Sequence, residues 1–136
     1  TSPFFPGARA ALDALRAQDW TLLAVATGKS KRGLDKLIEG YGLHGYFQSH
    51  QTADHHPSKP HPAMVQAALS ETGVAAERAV MIGDTTFDMD MARAAGVKTI
   101  GVSWGYHPAE QLTADETIED FADLIPAIDR LLGAPA

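Results

Sequence analysis

Val80-Met81-Ile82-Gly83-Asp84-Thr85-Thr86-Phe87-Asp88 runs from apolar residues through a Gly-Asp turn into the start of a helix. The run over 79–82 is short, apolar and bounded by turn residues, which reads as a buried strand. From Thr86 to the stop at Gly96 the pattern reads as a helix. A strand feeding a helix in this way is the repeating unit of an α/β sheet. With Thr85 or Thr86 as cap, Asp88 lies in the first turn, at the positive end of the helix dipole. Residues four apart share a helix face, so Asp84 and Asp88 can turn toward one point above the sheet. Paired hard oxygen ligands suit Mg²⁺, which takes one or two carboxylates together with water and substrate phosphate. The plainer reading is that both aspartates only cap the helix. Asp90 points off this face into solvent.

The same alternation continues on both sides of the turn. Downstream, 97–102 reads as a third strand and 116–118 as a short edge strand. A last helix carries Phe121, Leu124, Ile125, Ile128 and Leu132. Upstream, Ala8, Ala11, Leu12 and Leu15 recur at helical spacing over about 7–18, with Pro6 near the start. Trp20-Thr21-Leu22-Leu23-Ala24-Val25-Ala26 is an apolar run of buried-strand length. Ser30 can cap a second helix with the stripe Leu34, Leu37, Ile38 and Tyr41, ended by Gly42. A polar stretch over 48–59 follows, with a short strand at its start. Pro62 then opens a helix that turns Val65, Ala68 and Leu69 inward. The expected architecture is one α/β domain over 1–136, a mostly parallel sheet with helices on both faces. Sheets of this kind bind ligands at the carboxyl ends of their strands. Three places qualify: Thr27-Gly28-Lys29, the turn at Asp84, and Ser103-Trp104-Gly105-Tyr106.

The bulk composition narrows the partners. A length of 136 residues suffices for one hydrophobic core. No apolar run approaches the roughly 18 residues that span a bilayer, so no membrane partner is expected. Thr1-Ser2-Pro3 does not open a secretory signal. The chain has no cysteine, which suits a reducing cytoplasm and removes thiolate metal sites. Its formal charge is −6 with basic residues scattered, unlike the basic stripe a nucleic-acid partner requires. A small phosphorylated substrate remains compatible, because one lysine and one Mg²⁺ set the local sign. Oligomeric state is open.

Two further groups carry chemistry. Lys59 stands in Ser58-Lys59-Pro60-His61-Pro62. Pro60 biases it toward an extended backbone, so its ammonium can be aimed at phosphate or carboxylate with little entropy loss. The bland alternative is a surface lysine in a proline-rich loop. Thr27-Gly28-Lys29-Ser30 ends a strand and opens a helix. Its amides can form an anion nest, and the Thr27 hydroxyl can donate to a phosphoryl oxygen; the alternative is an ordinary strand-to-helix turn. Lys29 reads as a solvated rim residue. His50, His55, His56 and His61 cluster near Lys59; they read as a polar loop beside the site, with a zinc site conceivable. Trp104-Gly105-Tyr106-His107 reads chiefly as packing at the pocket edge.

The order strand-Thr27, Lys59-Pro60, strand-Gly83-Asp84-x₃-Asp88 resembles the haloacid dehalogenase superfamily, in particular its phosphoglycolate-phosphatase-like branch. PGARAALDALRAQDWTLLAVATGKS, SKPHPAMVQAAL and VMIGDTTFDMDMARAAGVKTIGVSWGY carry the resemblance, which covers nearly the whole chain. It implies a Rossmann-like three-layer α/β/α core and a Mg²⁺-dependent phosphatase that works through an aspartyl-phosphate. It further implies that Thr27 and Gly28 bind the phosphoryl group and that Lys59 pairs with the nucleophile and the phosphoryl oxygens. Asp84 would bind Mg²⁺. Asp88 would support the metal directly or through water, with Lys59 as a further partner.

One part of the family pattern is absent from these residues: an apolar strand followed by Asp-x-Asp-x-Thr, which supplies the nucleophile and the general acid/base. Asp88-Met89-Asp90-Met91 has that carboxylate spacing but lies in a helix. The resemblance therefore implies the C-terminal part of a longer enzyme, without first motif or helical cap, and inactive alone. In the family the first-motif strand lies between the strands ending at Thr27 and at Asp84. With neighbours about 4.8 Å apart, its absence leaves a one-strand gap or brings the flanking strands together. The alternatives are a non-catalytic binding domain of the same fold and a metal-free 2-haloacid dehalogenase. A phospho-acceptor receiver domain fits poorly, because its lysine follows its acidic group.

Overall fold

A computed structural model describes residues 7–54, 56–59, 61–105 and 107–133. The elements alternate: α1 (Ala8–Arg16), β1 (Ala24–Ala26), α2 (Lys31–Tyr41), β2 (Ser49–Gln51), α3 (Ala63–Thr72), β3 (Val80–Gly83), α4 (Thr86–Ala94), β4 (Lys98–Val102), α5 (Ala109–Leu112), β5 (Glu116–Ile118) and α6 (Leu124–Leu132). The ends are set by the residues that the spacing picks out. The Ser30 side chain accepts from the Gly33 amide at the start of α2, and Gly42 closes that helix in the left-handed region at φ 66°. Pro62 precedes α3. Phe121 falls in a 3₁₀ turn ahead of α6 rather than in the helix itself.

The strands are all parallel to their neighbours, but they form two sheets: β1-β2, and β3-β4-β5. The helices cover both faces. Alternate residues of β3 go to opposite sides, as strand geometry requires. Val80 packs with Ala11, Leu15, Ile100, Val102 and Ala127 under α1 and α6. Met81 packs with Met64, Val65, Met91, Ala92 and Val97 under α3 and α4. A third cluster holds α2 through Leu34, Ile38, Leu43 and Tyr46.

Burial follows the number of partners a strand has. β4 has a neighbour on each side, and everything after Lys98 in it is buried. The expected buried strands at 20–26 and 79–82 are only half covered. Trp20 is 65% exposed and Leu22 48%, and β1 contracts to three residues. Ile82 in β3 is 37% exposed. Each of these strands has a ladder partner on one side only, so its other edge stays wet. Between them runs an open groove of about 510 Å³ lined by Ala24, Val25, Ala26, Val80, Met81 and Ile82 among others. Of the two outcomes expected for a sheet lacking its middle strand, the gap is the one observed. The flanking strands do not pair.

Candidate active site

The carboxyl end of β3 builds the acidic turn. Thr85 caps α4 by accepting from the Asp88 amide at 3.1 Å, and Asp88 answers from the third helical position. This is a reciprocal capping box. Asp88 Oδ2 accepts from the Asp84 amide at 3.2 Å and the Thr85 amide at 3.3 Å. Its other oxygen accepts a charge-assisted bond from Lys59 Nζ at 2.6 Å. Asp88 is buried, and the Lys59 side chain is 22% exposed. Capping and the ion pair with Lys59 therefore coincide in one carboxylate. Asp88 fixes Lys59 and the backbone of Asp84 together.

Lys59 reaches this point from the loop after β2. The His61 amide donates to the Ser58 carbonyl at 3.0 Å, and the Ala63 amide to His61 Nδ1 at 3.1 Å, which ties the turn to the start of α3. His56 bonds Gln51 Oε1 at 2.7 Å, tying the same loop to β2. His55, Pro60 and Tyr106 lie outside the described residues. Among the described residues no three His, Cys, Asp or Glu side chains gather as metal ligands.

Two glycines shape the turn. A Cβ on Gly83 would stand 2.5 Å from Asp88 Cβ, and one on Gly105 would stand 2.1 Å from Asp84 Cβ. Both distances are below anything side chains tolerate. The segment after β4 therefore lies directly on Asp84. It is fastened there by the His107 amide, which donates to the Asp84 carbonyl at 3.0 Å, and by His107 Nδ1, which accepts from the Thr86 amide at 3.0 Å. Sequence reasoning placed this segment at a ligand-binding strand end but missed that Gly105 and His107 grip Asp84. The one available signal was a glycine just beyond an apolar strand. Trp104 does pack, as expected, against Phe121 at 4.8 Å between ring centroids.

Thr27 and Gly28 stand at the carboxyl end of β1, across the groove. Thr27 Oγ1 accepts from the Lys29 amide at 3.1 Å, which leaves its hydroxyl proton available for another acceptor. Gly28 is exposed with open space about its α-carbon. The structure thus brings Lys59, Asp84 and Asp88 into one bonded unit and sets Thr27 and Gly28 at the end of the other sheet.

A haloacid dehalogenase-like hydrolase family model matches residues 1–102. The chain belongs to this family. The "Probable phosphatase IndB" of Dickeya dadantii is 42% identical over 133 residues, 94% of this chain and 57% of that protein. A "Phosphoglycolate phosphatase" of Rhodospirillum rubrum is 37% identical over 97% of this chain and 58% of its own length. Among solved structures, a "predicted phosphoglycolate phosphatase" from Haemophilus somnus superposes with a TM-score of 0.85 at 28% identity, covering 92% of this chain and 57% of the other. The haloacid dehalogenase-like chain thus spans a little under three fifths of these relatives. For a haloacid dehalogenase-like hydrolase, the donor chemistry at β3 fits Mg²⁺ through Asp84, a hard carboxylate at a strand's carboxyl end. Asp88 accepts one bond on Oδ1 and two on Oδ2, so the lone pair left on Oδ1 is what it can still offer a cation, directly or through water.

Proposed function

We propose that this chain is the Lys- and Asp-bearing part of a Mg²⁺-dependent phosphatase for a small phosphate monoester of the phosphoglycolate kind. The observation that carries this is the Lys59–Asp88–Asp84 unit at the carboxyl end of β3. Relatives named as phosphatases support it. Lys59, held by Asp88, pairs with phosphoryl oxygens and with an attacking carboxylate. Thr27 and the Gly28 amide bind the transferred phosphoryl group from the other sheet. Asp84 holds Mg²⁺, which when bound neutralises charge on the phosphoryl oxygens. The nucleophilic aspartate comes from polypeptide outside these 136 residues, so the transfer through an aspartyl-phosphate requires that segment. By itself this domain turns over little or no substrate, and Asp84 and Asp88 alone bind Mg²⁺ weakly.

The test compares the 136-residue chain with the product of the reading frame extended upstream of Thr1. Both are assayed on 2-phosphoglycolate and p-nitrophenyl phosphate, with Mg²⁺ and with chelator. The extended frame should encode Asp-x-Asp-x-Thr after an apolar strand, and its product should hydrolyse in a Mg²⁺-dependent way. Ordinary turnover by the short chain alone would refute the split of catalytic residues. The second reading is a non-catalytic binding domain, which an extended frame without that motif would favour. Activity that survives chelation would point to the metal-free dehalogenase.

A further inference from the structure

Gln51 stands between Thr27 and Lys59 in the chain and bonds to the segments of both. It is buried at the end of β2, opposite Ala26 in the ladder to β1. Its backbone carbonyl accepts from the Thr27 amide at 3.0 Å. The residues after it continue the clasp. The Ala53 amide donates to the Lys29 carbonyl at 3.0 Å, and Asp54 Oδ2 accepts from the Lys31 amide at 2.9 Å. The Gln51 side chain serves the other segment. Its Oε1 is 2.7 Å from Nε2 of His56, in the loop that carries Lys59. Its Nε2 donates to Ser49 Oγ at 2.8 Å, and Ser49 Oγ donates to Glu71 Oε1 at 2.8 Å. These bonds admit one order of donors. Hydrogen bonds from Gln51 and Ser49 hold the Glu71 carboxyl below its ordinary range, so at neutral pH it is ionised and only accepts. Ser49 gives it the single hydroxyl proton and therefore accepts from Gln51. The Gln51 amide nitrogen is thereby turned to Ser49 and its oxygen to His56, which makes His56 Nε2 the donor.

We propose that Gln51 is a positioning residue of the candidate active site, which ties the Thr27 turn to the Lys59 loop in a direction set by Ser49 and Glu71. Asp88 holds the tip of Lys59 at 2.6 Å, and Gln51 holds the loop from which that side chain starts. Thr27 stands at the end of the β1–β2 sheet, whereas Lys59 is bonded to the turn after β3. A phosphoryl group gripped by both needs them at a fixed separation, and a misplacement of about 1 Å can cost about 10²-fold in rate. The tie stands on the hydrogen bonds; its effect on phosphoryl transfer rests on the phosphatase reading above. Glutamate at position 51 has nearly the shape of glutamine but no proton for Ser49. One hydroxyl proton cannot serve two carboxylates, so Gln51→Glu leaves a buried carboxylate oxygen against Ser49 Oγ with no proton between them. Glu71→Gln brings no such conflict, because the new amide still presents an oxygen to Ser49. Making both changes reverses the chain. The amide at position 71 then donates to Ser49, and Ser49 donates to the carboxylate at position 51, which still accepts from His56.

The variants Gln51→Glu, Glu71→Gln, the two together, and Gln51→Met are made in the product of the reading frame extended upstream of Thr1. Gln51→Met keeps an unbranched side chain of similar length and leaves the Ser49–Glu71 bond in place. It removes the acceptor for His56. Nitrogen-15 spectra of the unsubstituted protein should show neutral His56 protonated at Nε2. Gln51→Glu should speed exchange of the Thr27, Ala53 and His61 amides at least about tenfold, and Glu71→Gln by less than about threefold. The double variant should return to within about threefold of the unsubstituted protein. Gln51→Met should keep the urea midpoint. It should speed exchange of the His61 amide, which donates to Ser58 in the Lys59 loop, and not of the Thr27 amide. With Mg²⁺ and p-nitrophenyl phosphate it should lower kcat about tenfold while KM changes by less than about threefold. With the fold intact, that loss reports position rather than stability. The proposal is overturned by His56 protonated at Nδ1 instead, by a double variant that exchanges no more slowly than Gln51→Glu, or by full kcat in Gln51→Met of an active protein. The expected tautomer and exchange pattern in a protein that hydrolyses nothing would support the tie and count against the phosphatase reading.

Discussion

At the scale of single residues, the site is held by contacts too close to admit a methyl group. Gly83→Ala places a Cβ 2.5 Å from Asp88 Cβ, and Gly105→Ala one 2.1 Å from Asp84 Cβ. Neither neighbour is the far end of a flexible chain, so backbone must shift. Each change should cost about 1–3 kcal/mol, as overpacking does. Gly28→Ala meets nothing within 4 Å and should leave stability unchanged to within about 0.5 kcal/mol. Urea unfolding of the three variants checks the contrast. Asp88→Asn removes the charge facing Lys59 while one side-chain oxygen can still accept from the turn amides. Breaking a fully buried pair costs about 3–5 kcal/mol; with Lys59 22% exposed, solvent screening brings the expected loss to about 1–2 kcal/mol. Adding Lys59→Met to that variant should recover part of it, because no unpaired ammonium then remains. A double-mutant cycle measures this. The positions of Lys59, Asp84 and Asp88 were legible because strand ends, caps and prolines are local signals. The grip of Gly105 and His107 on Asp84 was not, since it joins segments some twenty residues apart through backbone approach, which leaves no periodic trace.

At the scale of elements, most helices and strands were legible because the apolar period and the cap residues agree. The expected helix at 7–18 is observed as Ala8–Arg16, and the edge strand at Glu116–Ile118 falls where the sequence puts it. The short helix α5 was not read, since four residues carry no period. Nor was the polar inlay between β2 and α3. Ser49 and Gln51 turn inward from β2 and are buried, and Ser49 donates to Glu71 on α3 at 2.8 Å, with Gln51 donating to Ser49 at 2.8 Å. Hydrogen bonds from Gln51 and Ser49 hold the Glu71 carboxyl below its ordinary range, against a smaller opposing effect of desolvation. A carboxyl whose folded value is depressed adds stability above its unfolded value, and loses it as pH falls through the folded one. Glu71→Gln should therefore flatten the acid limb of the stability curve below the usual glutamate range. It should leave the slope near neutrality unchanged. Urea midpoints measured from neutral to acid pH test both statements.

At the scale of the whole molecule, the sheet divides into a well-covered half and an open half. β4 lies between β3 and β5, and Ile100 in it is fully buried among Leu15, Val102, Ile118 and Ala127. β1 has one partner of three residues and an open edge on the groove. Parallel strands need cover on both faces and neighbours on both edges before their amides exchange only by global unfolding. The two halves should therefore differ in exchange although they belong to one domain. Amides of β4 should exchange slowest, at a rate set by overall stability. Those of β1 should exchange faster, through local opening that leaves the β3-β4-β5 sheet intact. Ile100→Ala, which opens a cavity in the covered half, should cost about 2–5 kcal/mol and should speed β4 exchange by the full amount of that loss. The same variant should barely change exchange in β1, whose opening never depended on the global transition. Equal protection across β1 and β4, or equal acceleration of both in Ile100→Ala, would mean that the groove closes in solution and the two sheets unfold as one.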